Sequence, residues 1–355
     1  MSKRPIARAS AEPHADRPLH APGGSMRHGT SLGRARGLRQ RAGTKEEPGM
    51  RSSTKRTGIT LAAAMTVLAM QGTAASAAPD RSGIDQLPST ITLTGTVRDF
   101  KDRNAAGGHP DFQRQPSSGF GHYVGMVADR LDEDGKPVFA STGYKLTGNW
   151  RNASGQPIMP PRDYIASRDG DRSGSIDQRK VGALTNAENF RQWFRDTRGV
   201  NVAIPLELTL VKQPGSAVYV FDDKLDNYFA GLGGFFPING EGYGNYANTG
   251  KNFHFTFELQ TEFTYHADQG LSFKFTGDDD VWVFIDGHLV IDIGGVHSAV
   301  SQTIELDRLE WLEDGQDYTL SFFFAERHTT QSNFRIETTL ELRSVELPPT
   351  AGLYD

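Results

Sequence analysis

Val281-Trp282-Val283-Phe284-Ile285-Asp286-Gly287-His288-Leu289-Val290-Ile291 decides the fold. Two runs of β-branched and aromatic residues flank an Asp-Gly pair. That pair suits a type I′ turn, because glycine accepts positive φ and the turn's twist matches that of paired strands. The stretch therefore reads as a β-hairpin. Outward from it, Phe253, Phe255, Phe257 and Leu259 alternate with His254, Thr256, Glu258 and Gln260, the period of a strand with one apolar face and one solvated face. Ile91–Val97, Tyr123–Val127, Val138–Leu146, Val202–Val211, Val218–Phe221, Leu271–Phe275, Gln302–Leu306, Tyr318–Phe324 and Phe334–Leu342 give further strands. One short helix is predicted. Thr185-Asn186-Ala187-Glu188 has the form of a capping box ahead of Phe190, Trp193 and Phe194 at helical spacing, with Gly199 at its stop; the aromatic stripe is read as its buried face. Short strands, long loops and little helix make the chain mainly β, an antiparallel β-sandwich.

The 355 residues divide by charge. Residues 1–49 carry ten Lys/Arg against four Asp/Glu and show no apolar periodicity, so they read as a disordered basic extension or a start placed too early. In 50–77, Arg51, Lys55 and Arg56 precede the apolar run Ile59–Met70 and the small residues Ala75-Ser76-Ala77. That is the pattern of a secretory signal peptide cut after Ala77, its apolar run being too short to span a bilayer. Residues 78–90 read as a linker, 91–345 as the β-domain and 346–355 as a tail. Leu347-Pro348-Pro349-Thr350 matches a sortase motif only by coincidence, because no apolar stretch and basic end follow it. Residues 78–355 hold 25 Lys/Arg and 39 Asp/Glu. This acidic balance argues against a nucleic-acid partner, which needs clustered cations. The absence of cysteine excludes disulfides and thiolate sites. Secretion, no membrane span and an extracellular or cell-surface location are the expectations.

Asp278-Asp279-Asp280 sets three repelling carboxylates against an apolar strand, so a compensating charge is required. A hard cation such as Ca²⁺, which takes six to eight oxygens, is the functional reading, with Asp278 and Asp279 as first ligands; a solvated turn is the plain alternative. Asp169, Asp171, Ser173 and Asp177 are a second, weaker candidate for a calcium loop, with a Gly/Ser/Asp surface turn as the other reading. These follow EF-hand spacing with Gly174 at position six, but Lys180 stands where the bidentate acid belongs. His297, Glu326, Arg327 and His328 invite an acid–base reading. Glu326–Arg327 is instead expected to be a structural ion pair and His297 a hydrogen-bonded loop anchor. The chain lacks the G-x-S-x-G, H-E-x-x-H and phosphate-loop patterns.

Phe275 to His297 closely resembles the signature of the fibro-slime domain, a group related to the protective-antigen-type β-sandwich of adhesins, toxins and glycosidases. Gly95–Lys101, His109–Phe112, Phe190–Asp196, Phe235–Gly240 and Glu326–Phe334 agree with it in order, so the resemblance spans about 91–342. It implies a jelly-roll sandwich, an extracellular matrix context and a calcium ion. In the related adhesins two aspartates joined by a cis peptide hold that ion, which also grips sugar hydroxyls. The pair falls at Asp278-Asp279, and Asp280 stands where the wider family often has glycine. Asn333 is the counterpart of the adhesins' asparagine ligand, and His297 joins Asp278 and Asp279 as a ligand-binding candidate. A calcium-dependent module that binds an extracellular glycan or matrix polymer without catalysis is the resulting expectation. The alternatives are a glycan-directed hydrolase using acidic residues near the calcium loops, and a purely structural matrix subunit.

Overall fold

The structure is a computed structural model that describes residues 83–345. The basic extension, the signal peptide and the tail expected from the sequence lie outside the described residues. The strands are β1 (Thr90–Phe100), β2 (Tyr123–Val124), β3 (Val127–Leu131), β4 (Pro137–Phe139), β5 (Tyr144–Gly148), β6 (Trp150–Arg151), β7 (Pro157–Ile158) and β8 (Ser175–Val181). After helix α1 (Ala187–Arg191) come β9 (Asn201–Lys212) and β10 (Tyr219–Asp222), then helix α2 (Asn227–Leu232). The chain continues with β11 (Phe255–Thr264), β12 (Ser272–Asp278), β13 (Asp280–Ile285), β14 (His288–Ile293), β15 (Val300–Glu305), β16 (Asp317–Glu326), β17 (Asn333–Thr338) and β18 (Arg343–Ser344).

Most strands join one antiparallel sheet in the order β15-β12-β17-β10-β9-β1-β11-β16-β13-β14-β3-β4, with β18 on β11. The sheet curls until β15 and β14 meet through side chains: Gln302 accepts the Asp292 N–H at 2.7 Å. This gives the mainly antiparallel β-sandwich expected. The hairpin forms as read. Ile285 pairs with His288, and both Asp286 (φ 47°) and Gly287 (φ 73°) are left-handed, as a type I′ turn demands.

Two apolar clusters lie on opposite faces of β13. Val281, Val283 and Ile285 enter the interior of the curl with Phe235, Phe255, Phe257, Phe275, Phe322, Phe324 and Phe334. Trp282 and Phe284 point the other way, into a cluster with Phe112, Tyr123, Met126, Phe190, Trp193 and Phe194. Side chains alternate across a strand, so a strand buried on both faces reads as a continuous apolar run. The second cluster is supplied largely by residues 100–194, which form a second layer over the sheet. That layer corrects one expectation. The polar side of β11 is not open to solvent at its first half: His254 and Thr256 are buried, Thr256 Oγ1 donates to the Trp193 carbonyl at 2.6 Å, and Glu258 is clamped by Arg98 and Lys136.

The helix also differs in detail. Asn186 is the N-cap, its Oδ1 accepting the Asn189 N–H at 2.9 Å, while Thr185 Oγ1 accepts from the Asn189 side chain. The helix ends at Arg191 rather than near Gly199, and Phe190, Trp193 and Phe194 are buried as expected. Two expected strands are interrupted. Gly125 (φ 70°) divides Tyr123–Val127, and the Ser141-Thr142-Gly143 turn divides Val138–Leu146. Strand β8 and helix α2, capped by Asp226, were not anticipated.

Candidate functional site

Asp278 ends β12 and Asp280 begins β13, so the acidic run joins two strands that are not neighbours in the sheet. Its entry is tight: a Cβ at Gly277 would come within 2.1 Å of the Asn333 carbonyl oxygen. The Asp278-Asp279 peptide is cis, as the resemblance implied, and so is Thr329-Thr330 across the same cleft.

The three carboxylates have three different partners. Asp278 accepts the Asn333 N–H at 2.6 Å and the Asn333 amide Nδ2 at 2.8 Å, which places the asparagine expected from the resemblance beside the first aspartate. Asp279 accepts the backbone N–H groups of His297 at 3.2 Å and Arg327 at 3.4 Å. Asp280 pairs with Arg327 through its Nε, and through its Nη2 at 3.2 Å, and accepts the Gly295 N–H at 2.6 Å. Arg327 is fully buried, reaches the Ala183 carbonyl at 3.2 Å and stacks over Trp193 at 5.4 Å.

The expected Glu326–Arg327 ion pair is therefore corrected. Successive residues of extended chain point to opposite faces, and Arg327 directly follows Glu326 at the end of β16. Arg327 thus turns toward Asp280 and the second layer, whereas Glu326 comes close to Asp278 and Asp279. Glu326 is buried; one oxygen accepts the His328 N–H at 3.3 Å and the other has no hydrogen-bond partner. Burial pushes the Asp279 and Glu326 carboxyls well above the usual range; repulsion from Asp280 and Asp278 adds to it at Asp279 against the pull of Arg327, and repulsion from Asp279 and Asp278 adds to it at Glu326. Asp278 moves the same way by burial, against the pull of Asn333.

The cleft here encloses about 250 Å³. Asp278, Asp279 and His297 line it with His328 and Thr329, and Phe120 of the second layer, 46% exposed, stands on its rim edge-on to His328. The His297 ring is half-buried; its Nδ1 donates to the Ser298 carbonyl at 3.0 Å, the loop-anchoring bond expected. Among the described residues no three His, Asp or Glu side chains are spaced to hold a metal alone. Calcium at this cleft would draw on amide and carbonyl oxygens as well, as its coordination allows. The donor chemistry fits: Asp278, Asp279 and Asn333 offer hard oxygens, and the buried Glu326 carboxylate nearby keeps one oxygen unpartnered.

The EF-hand-like segment is built otherwise. Both Asp171 oxygens are taken by Arg308, at 2.7 and 2.9 Å. Asp177 lies in β8 beside Arg179 and Lys180, and the segment holding Asp169 and Ser173 runs into that strand rather than into a helix. The charges that the sequence assigned to a cation at Asp171 and Asp177 are thus balanced by basic side chains.

Residues 238–346 match the PA14 domain family. Among curated proteins the chain is similar to protein psiD of Dictyostelium discoideum, 44% identical over 162 residues that cover 44% of this chain and 30% of psiD. Protein psiH of the same organism is 42% identical over 273 residues, 72% of this chain and 31% of psiH. The chain spans about a third or less of the length of these relatives. Among solved structures it is similar to the PA14 domain of the MpAFP antifreeze protein, at 16% identity and a TM-score of 0.17 over 28% of this chain and 57% of that one. The PA14 match begins between α2 and β11 and holds the acidic run, Glu326, Arg327 and Asn333.

Proposed function

We propose that this chain is a secreted, calcium-dependent carbohydrate-binding and adhesion module of the fibro-slime type, without catalysis. The carrying observation is that Asp278 and Asp279 line an open cleft, with the buried Glu326 carboxylate close behind and repelled by both. Arg327 pairs with Asp280 and only partly offsets Asp279, and a buried carboxylate with an unpartnered oxygen is costly until a cation or proton neutralises it. Asp278, Asp279 and Asn333 would hold the ion, with Glu326 behind them as an added charge. A bound Ca²⁺ supplies open coordination positions to vicinal sugar hydroxyls. Phe120 and His328 offer apolar and aromatic surface beside it, and His297 fixes the loop that carries Asp279's donor.

The test is a calorimetric calcium titration of the chelator-stripped protein and of Asp279→Asn. Binding to the native chain that raises its melting temperature, and loss of that site in the variant, is the expected result. A glycan array with and without calcium then reads the second half. If neither protein takes up calcium, the metal-centred mechanism fails and a structural matrix subunit becomes the reading. Calcium uptake without calcium-dependent glycan binding would remove the carbohydrate function alone.

A further inference from the structure

His122 and His297 meet where the second layer abuts the cleft loop. Their ring centroids are 5.6 Å apart and the planes are inclined by 52°. The hydrogen bonds fix both tautomers, since a carbonyl oxygen only accepts. His122 Nε2 lies 3.1 Å from the Asp292 carbonyl and therefore carries the proton, leaving Nδ1 as a bare lone pair. His297 Nδ1 lies 3.0 Å from the Ser298 carbonyl and carries the proton, leaving Nε2 bare. Both bare nitrogens are sealed from solvent, and neither has a hydrogen-bond partner.

An imidazole that gives its N–H to a backbone carbonyl and keeps the other nitrogen unprotonated is arranged as metal-binding histidines are, the carbonyl setting tautomer and ring orientation. Two such rings are present, from chain segments 175 residues apart in sequence, with centroids 5.6 Å apart; an ion shared by them would lie about 2.0–2.1 Å from a nitrogen of each. The donors are nitrogen, in contrast to the oxygen set of Asp278, Asp279 and Asn333, so the two sites select different cations. Imidazole favours Cu²⁺, Ni²⁺ and Zn²⁺ over calcium.

From this geometry we infer that His122 Nδ1 and His297 Nε2 form a two-histidine site for a divalent d-block cation. The ion ties the Gly121–Tyr123 segment of the second layer to the loop between β14 and β15. That loop also presents the His297 N–H to Asp279, so the site braces one wall of the cleft. This inference does not depend on calcium or sugar binding.

The experiment uses the full chain, untagged, in excess CaCl₂ so that oxygen sites are filled, titrated with CuCl₂ and separately with ZnCl₂. His122→Phe keeps the ring volume and removes the nitrogen; His297→Gln removes the other donor. The native chain should bind one more Cu²⁺ than either variant, or bind it about tenfold or more tightly. Zn²⁺ should raise the melting temperature of the native chain alone. Echo-modulation spectra of the native Cu²⁺ form should show two imidazole nitrogens on one ion, a readout that stands even if a variant fails to fold. Identical titrations for all three proteins, or a native spectrum with at most one imidazole, would overturn the inference and leave a bridging water between the rings.

Discussion

The two faces of β13 are equally buried and differently made. Val281, Val283 and Ile285 meet an interior of phenylalanines drawn from the strands of the same sheet. Trp282 and Phe284 meet a layer in which aromatic rings share space with charge. There the Trp282 Nε1 donates to Asp292 at 3.2 Å, Arg327 lies between Trp193 and Asp280, and Asp111 accepts the Thr185 N–H at 2.9 Å. The inner face therefore depends on volume and shape, and the outer face also on the pairing of buried polar groups. The cleft opens on the outer side, where Arg327 and the His297 loop connect it to the second layer. Stability and binding are thus coupled on one face of this strand and separate on the other.

The severest test of that contrast is Arg327→Met. It leaves Asp280 buried without its counter-ion and should cost about 3–5 kcal/mol of unfolding free energy in urea, with Asp280→Asn added in the double variant restoring much of it. Recovery of nothing would mean that packing, not charge, holds the outer face. Next come Phe235→Ala inside and Trp193→Ala outside. Each should lose roughly 3–5 kcal/mol, but only Trp193→Ala should also weaken calcium uptake, because Arg327 stacks on that ring. Equal effects on calcium would erase the distinction between the faces.

Titration separates the faces by pH. Burial raises Asp292 to about 6. Its contribution to stability is therefore fully present below about pH 4, the range of an unfolded carboxyl, and is lost as pH rises through about 6. Chelator-treated protein should lose on the order of 2 kcal/mol over that window from this group, and Asp292→Asn should flatten the slope. A slope unchanged in the variant would place its origin elsewhere. Asp279 and Glu326 act in the same direction when metal-free, and calcium should counter their share because it favours the ionised form. The smallest expected effect is at the α1 cap. Asn186→Ala should cost about 1 kcal/mol, with calcium affinity unchanged because the cap contacts neither the cleft nor Arg327.

What was legible in the sequence follows from how far apart the partners lie. The Asp286-Gly287 hairpin, the alternation of β11 and the apolar runs of β9 and β16 are written in neighbouring residues, and local periodicity reads them. Strand β8, Ser-Ile-Asp-Gln-Arg-Lys-Val, has almost no apolar alternation and forms by pairing with β5, which nothing nearby announces. The aspartate run was visible as a charge problem, yet its resolution was not. Arg327 is 47 residues from Asp280, and sequence adjacency suggested Glu326 as its partner when strand geometry sends the two to opposite faces. Likewise the polar side of β11 was readable as polar, whereas the layer that covers it comes from residues 100–194.

The crossing from β12 to β13 has a consequence for how such chains can diverge. Three identical side chains in succession look interchangeable to any comparison that aligns letters. Here each serves a different master: Asn333, the cleft and Arg327. Inserting or deleting one residue would leave an acidic run in place while reassigning every carboxylate. Substitution can therefore wander around this segment, but a change in its length cannot, and relatives that keep the spacing from Gly277 to Val281 should be counted as keeping the site.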